Sequence, residues 1–378
     1  MSGHPSPRFD TARLRMLPLA ERRHRLSIEE IAVDPSPPGP VLPEAVAGQV
    51  RRCADRILRA RAIGRPVIMA FGAHLIKNGL GPVVAWMVRQ GHLTHVATNG
   101  AGSIHDWEFA YCGKSAEDVR ANTAAGRFGT WDETGRCINL AVAIGGVDGL
   151  GYGESVGRLI AEEGLTAPDP EALRAGIAAA VAGPAPDAES AAAMADLLSL
   201  IQSGGVEPGS HSLPHPWHRF SLQYAAYATG IPFTVHPGLG YDIIHTHPLV
   251  SGGALGRGAI RDFYAYVHSV SNLTDGVHIA VGSSVMAPMI FEKALSMANN
   301  AAIAEGRPTV AGHYLVVTDI QDGGGWDWSS GEPPMDHPAY YLRFCKTFYR
   351  MGGALDYIQL ENVLFLKALA AELARESR

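Results

Sequence analysis

Short apolar runs recur along the chain. Each closes on a glycine or a polar loop, and most are separated by segments of helical period. RPVIMAFG (65–72), HVATNG (95–100), IPFTVHPG (231–238), GVHIAVG (276–282), HYLVVTDI (313–320) and ALDYIQLE (354–361) read as six buried strands. Segments 46–63, 76–90, 103–125, 217–229, 258–270, 285–304, 338–351 and 362–375 carry the period of helices. Ala-rich segments 154–164, 169–182 and 186–203 also read as helices, whereas the Gly-rich stretch 126–150 reads as irregular. This alternation predicts an α/β fold: a Rossmann-like, doubly wound, mostly parallel sheet with helices on both faces. The expected organisation is an N-terminal extension with a helix over 1–63 and a Rossmann-like catalytic domain over 64–378, with a helical insertion at about 150–205.

Ligands of such sheets sit beyond the carboxyl ends of the strands, so the chemistry is sought in the loops that follow them. In FGAHLIKNGLG (71–81) a strand ends at Gly72 and a helix follows, which predicts an anion or pyrophosphate site. His74, Lys77 and Asn78 lie in this turn, with Lys77 placed to neutralise phosphate. The GxGxxG fingerprint and the Walker lysine motif are both absent. In ATNGAGSIHDWE (97–108), Asn99, Gly100, Ala101 and Gly102 allow a ligand close to the backbone. Ser103 is the expected helix cap, and His105, Asp106 and Glu108 project from the first turn. TVHPGLGYDIIHTHP (234–248) brings His236, Gly238, Asp242, His245 and His247 to another strand end. HIAVGSSVMAP (278–288) offers Gly282, Ser283 and Ser284. TDIQDGGGWDWSSGE (318–332) offers Asp319 and Asp322, with Trp326 and Trp328 to stack on a ring or close a lid.

Composition narrows the function classes. Of 378 residues, 47% are hydrophobic and 18% charged, enough apolar material for a large core. The formal net charge of −6 and only five lysines argue against nucleic acid or an anionic membrane as partner. Cys53, Cys112, Cys137 and Cys345 show no CxxC spacing, which fits reduced thiols. With no apolar stretch of membrane-spanning length, the chain is expected to be cytoplasmic and to act on a small molecule.

AHLIKNG (73–79), HVATNGAGSIHD (95–106) and VHIAVGSSVMAPMIFEKAL (277–295) together resemble the cofactor regions of the deoxyhypusine synthase family, in order and in outline spacing. The resemblance covers roughly residues 65–125 and 230–300. It implies a Rossmann-type NAD enzyme and a homotetramer. It also implies that Ala73, His74, Asn78, Thr98, Asn99, Gly100, Gly282, Ser283 and Ser284 line the dinucleotide. Gly72, Lys77, Ala101, Gly102, Gly238 and Asp319, at the same strand ends, complete the expected cofactor-binding set. The chain departs from the family in three places. Ile104 and His105 replace an acidic pair, although Asp106 holds, and Gly282 replaces an aspartate. No lysine occurs in AYVHSVSNLTDG (265–276), where the family forms its imine. Deoxyhypusine synthesis itself is therefore not expected.

The expectation is an NAD-dependent transferase or oxidoreductase of that group. It would act by hydride transfer, redox or redox-neutral, on a small amine or hydroxyl substrate. His105, Asp106, Asp242, His245 and His247 are expected near the chemistry, without a metal. Two alternatives stay open: a metal-dependent hydrolase or lyase built on His236, His245 and His247, and a ligand-binding protein that kept the fold and lost the chemistry.

Overall fold

The computed structural model describes residues 9–182 and 185–376. Six strands form one sheet: β1 (Val67–Phe71), β2 (His95–Asn99), β3 (Phe233–His236), β4 (Val277–Val281), β5 (Tyr314–Asp319) and β6 (Ala354–Gln359). They lie in the order β6-β5-β4-β1-β2-β3, and every pairing is parallel. This is the Rossmann strand order. The sequence-predicted fold class is the observed one.

Both faces of the sheet are covered, so the central strands β4, β1 and β2 are buried at nearly every position rather than alternately. In β1, apolar throughout, Val67, Met69 and Phe71 face one core cluster, and Ile68 and Ala70 face the other. The first cluster is covered by α1 (Glu44–Ala62), α2 (Gly81–Arg89), α3 (Gly100–Cys112) and, later in the chain, Leu222–Thr229 and Asn362–Glu376. The second is covered by Gly252–Ser271, Met286–Ala304 and Arg343–Arg350.

Between β2 and β3 the chain forms α4 (Asp132–Val147), α5 (Tyr152–Ala161), α6 (Pro170–Ala182), α7 (Ala188–Gln202) and α8 (Leu222–Thr229). The stretch read as irregular is thus largely the helix α4. Its Gly135 lies against His247 and its Gly145 against Ser155, where an added Cβ would come within 2.6 and 2.0 Å of the neighbouring side chain. Glycine here serves close helix packing, not a turn. Later in the chain follow α9 (Gly252–Ser271), α10 (Met286–Ala304), α11 (Arg343–Arg350) and α12 (Asn362–Glu376).

The segment before α1 runs over α3 and the turn after β1. Leu26–Ser27 pair antiparallel with Lys114–Ser115, Leu17 bridges to Trp131, and the Val33 N–H donates to the Gly79 carbonyl at 2.9 Å. Among the described residues, no helix is long and apolar enough to cross a membrane.

Candidate functional site

The direction of winding reverses between β1 and β4: the chain leaves β1 for α2 on one face and leaves β4 for α10 on the other. A crevice opens at such a switch point. The Gly72 N–H donates to the Val281 carbonyl at 3.1 Å, which carries the β1–β4 ladder past both strand ends. A Cβ on Gly72 would lie 2.3 Å from the Gly282 carbonyl oxygen. Gly282, at φ +53°, would place one 2.7 Å from Asn362 Nδ2. Both glycines are therefore required for the two loops to meet.

A cavity of about 450 Å³ lies on the β4–β5–β6 side of this junction, lined by His74, Asn78, Gly282, Asp319, Ile320, Gln321 and Glu361 to Val363. A second, of about 200 Å³, lies on the β2–β3 side, lined by Lys77, Ala101, Ile104, His105, Glu108, Tyr241, Asp242 and Ile243, with Arg22 and Glu117. The single turn His74–Lys77 separates them, sending His74 and Asn78 to the first and Lys77 to the second.

The smaller cavity holds a polar chain that the sequence reading missed. Arg22, from the N-terminal segment, forms a buried bidentate pair with Glu108, at 2.7 and 2.6 Å. Thr134 donates to the same carboxylate at 2.9 Å, and Ser115 Oγ donates to it at 2.5 Å. Burial opposes ionisation of Glu108, yet Arg22 and the Ser115 hydroxyl hold its carboxyl below the usual glutamate value. Ser115 Oγ also lies 2.7 Å from His105 Nδ1. The serine's single hydrogen is given to Glu108, so the imidazole must donate through Nδ1. That leaves Nε2 as an acceptor on a ring that lines the cavity. Burial, then nearby Lys77, Arg22 and His74, outweigh Glu108 and lower the His105 pKa to about 4, so the ring is neutral at pH 7. The His105–Glu108 spacing of three, which puts both on one helix face, was the signal available in the sequence. Nothing singled out Arg22 or Ser115.

The other expected residues are distributed unequally. Asp242 lies in the smaller cavity, accepts from the Gly238 N–H at 2.9 Å, and has its pKa raised by burial. His245 Nδ1 is 2.8 Å from the Asp242 carbonyl oxygen, with Nε2 buried and unpartnered. His247 turns away to α4, with Nε2 3.2 Å from Asp132 and Nδ1 accepting from Leu249. Asp106 is buried beneath the α8 N-terminus and accepts from Ser221, Leu222 and Gln223, all at 3.1 Å or less. It lines neither cavity. Asn99, not Ser103, caps α3 by accepting from the Gly102 N–H at 2.9 Å; Ser103 bonds Gln223 instead. Thr98 Oγ1 donates to the Phe71 carbonyl and fills the space that Gly102 leaves, while Gly100 makes room for the Asp242 carboxylate. Ser283 Oγ accepts from the Ala287 N–H at 3.1 Å, the first turn of α10, and Ser284 is exposed beside it. Trp328 is a core residue and Trp326 donates to the Gly331 carbonyl, so this loop packs on itself.

The histidine metal site does not assemble. His236 is 3.1 Å from Thr234 and packs against Tyr266, apart from His247, whose ring is held by Asp132 of α4. Among the described residues, no group of three or more His, Cys, Asp or Glu side chains converges closely enough to hold a metal.

Site and sheet together define a Rossmann-like α/β protein with a two-lobed crevice at its topological switch point. No family model matches the chain, and no curated protein matches it in sequence. Solved structures match it at the level of general fold. Unliganded AgrE is 14% identical, with a TM-score of 0.43, over 89% of this chain and 34% of its own. A conserved LOR/SDH protein from Methanococcus maripaludis S2 is 14% identical, with a TM-score of 0.44, over 96% of this chain and 77% of its own. ArgZ, an arginine dihydrolase of the cyanobacterial ornithine–ammonia cycle, is 14% identical, with a TM-score of 0.41, over 89% and 33%. The chain spans about a third of the length of AgrE and ArgZ. AgrE is also known in a ternary complex with ornithine and NAD+. These comparisons correct the resemblance to deoxyhypusine synthase: the structural neighbours are AgrE, ArgZ and the LOR/SDH protein, not that family. With it goes the ground for expecting a homotetramer.

Proposed function

We infer that the protein is an NAD-dependent enzyme that removes hydrogen from a small amine or hydroxyl substrate. The carrying observation is the neutral His105, held with Nε2 free as an acceptor, in a cavity adjoining the switch-point crevice. The crevice suits a dinucleotide. Two glycine-dependent turns meet there, side chains would fill their junction, and the larger lobe is in the size range of ligand sites. Gly282, Ser283, Ser284 and Asp319 would hold the cofactor, with His74 and Asn78 at the partition. When bound, NAD supplies a hydride acceptor for a C–H bond next to nitrogen or oxygen.

The chain's own groups do the rest. His105 Nε2 takes the N–H or O–H proton, while Ser115 and Glu108 fix the tautomer and steady the imidazolium that forms. Lys77 has no ion-pair partner among the described residues and offers its ammonium to an anionic group. Asp242 presents a carboxyl to a cationic one. Ile104, Val119, Phe128 and Ile243 form the apolar part of the smaller lobe's wall.

The test is calorimetric titration with NAD+, followed by absorbance assays of NADH formation with a panel of small amines and alcohols. NAD+ should bind, and at least one compound should turn over. His105→Gln should lower that rate by about 10²–10⁴-fold while NAD+ still binds. A protein that binds no dinucleotide overturns the reading. One that binds it without turnover of any member of the panel points to the ligand-binding alternative.

A further inference from the structure

The two turns at the switch point are not equivalent, and the difference assigns a direction to the ligand. We propose that the adenosine half of the dinucleotide lies over β4, β5 and β6, with the Asp319 carboxylate taking its ribose diol, so that the nicotinamide end faces the His105 cavity. The proposal rests on the dinucleotide reading above.

Three observations carry it. First, the turn after β1 opens only a four-residue helix, His74–Lys77, and its far end is closed by the N-terminal segment, where Gly79 abuts the Ile31 carbonyl oxygen. The turn after β4 opens the nineteen-residue α10 and carries Ser283 and Ser284. The Ala287 N–H of that first turn is taken by Ser283 Oγ and Pro288 has none, so what the longer helix offers a pyrophosphate is its aligned dipole, which one turn does not have.

Second, the polar groups at the ends of the neighbouring strands differ. When phosphate rests on a glycine turn, the carboxylate that meets the ribose stands at the end of the next strand. After β4 and α10 that strand is β5, and it ends in Asp319. Oδ1 of Asp319 accepts from the Gln321 N–H at 3.1 Å, and Oδ2 has no protein donor among the described residues. After β1 and α2 the corresponding residue is Asn99, whose side-chain oxygen is already used by the Gly102 N–H.

Third, the two lobes match the two ends. The larger has the apolar Ile320, 70% exposed, and Val363 for a base to lie on, beside Asp319, Gln321, Glu361 and Asn362. The smaller holds His105, whose ring is fixed by Ser115 with Nε2 left to take a proton. A 2′-phosphate over β5 would face Asp319 and Glu361 together, so the site is built for NAD rather than NADP.

The test measures dissociation constants of NAD+, NADP+, ADP-ribose and nicotinamide mononucleotide by calorimetry, for the unaltered protein, Asp319→Ala and Asp319→Asn. The unaltered protein should prefer NAD+ to NADP+ by about tenfold or more, and ADP-ribose should displace NAD+. Asp319→Ala should weaken NAD+ and ADP-ribose alike by about tenfold, leave mononucleotide binding unchanged, and narrow the preference over NADP+. Asp319→Asn, which keeps the shape and loses the charge, should narrow that preference with a smaller loss of NAD+. NAD+ binding with an unchanged NAD+/NADP+ ratio in both variants overturns this assignment and leaves the enzyme reading standing. Absence of all dinucleotide binding overturns both.

Discussion

His105 and Asp106 are adjacent in sequence and have opposite environments. One residue along α3 turns the side chain by about 100°, from the cavity wall to the interior. His105 meets one hydroxyl and keeps a free acceptor, whereas Asp106 has its oxygens saturated by donors that cap α8. Burial raises the Asp106 pKa against the pull of those donors. Asp106→Ala should therefore act on stability: it strands the Ser221, Leu222 and Gln223 donors in the interior and costs about 2–4 kcal/mol in urea denaturation. Loss of NAD+ affinity without loss of stability would refute this structural role. Residue type and position were enough to pick out His105 and Asp106 as a candidate pair. Their separation into base and cap depends on what α8 and the Lys114–Ser115 strand bring to the two faces of α3, and neither contact is local.

At the scale of elements, all six strands begin and end within two residues of their sequence-predicted limits. Apolar runs punctuated by glycine are a local signal that a fully covered parallel sheet preserves. The helix α4 was illegible because its glycines mimic loop composition. Gly145 shows why. On propensity alone, Gly145→Ala should stabilise a helix by about 1 kcal/mol. Here the new methyl would meet Ser155 Oγ at 2.0 Å and its Cβ at 2.7 Å, against α5. Gly145→Ala should instead lower stability by about 1–3 kcal/mol, measured as a fall in urea midpoint with unchanged slope. The Leu26–Ser27 pairing with Lys114–Ser115 was equally invisible, since two residues carry no periodicity.

The whole molecule stores many neutral histidines. Burial holds His95, His236 and His278 at about 3, and His24, His105 and His215 at about 4. Each folded value lies below the unfolded one of 6.5. The stability they confer is thus present above about pH 6.5 and is lost as the unfolded chain takes up protons below it. Each fully buried ring, His95, His236 and His278, contributes up to about 1.4 kcal/mol per pH unit in that window, and the half-buried His24 less. Asp106 and Asp262, raised by burial, change in the opposite sense and offset part of the loss. Because the histidines outnumber them, the urea midpoint should fall steadily from pH 7 to pH 5. A midpoint that is flat or rises over this range would show that these rings are not buried neutral.

The sequence by itself determined the sheet: which segments are strands, that they run parallel beneath two helical layers, and that glycine turns crowd their carboxyl ends. Those features follow from patterns a few residues long. Only the tertiary structure decided the strand order, the switch point between β1 and β4, and which polar residues share a cavity. Arg22, Glu108, Ser115 and His105 come from three separate stretches of chain, and His247 and His236, close in sequence to Asp242, leave it for other walls. Such partnerships are set by long-range packing, on which local periodicity carries no information.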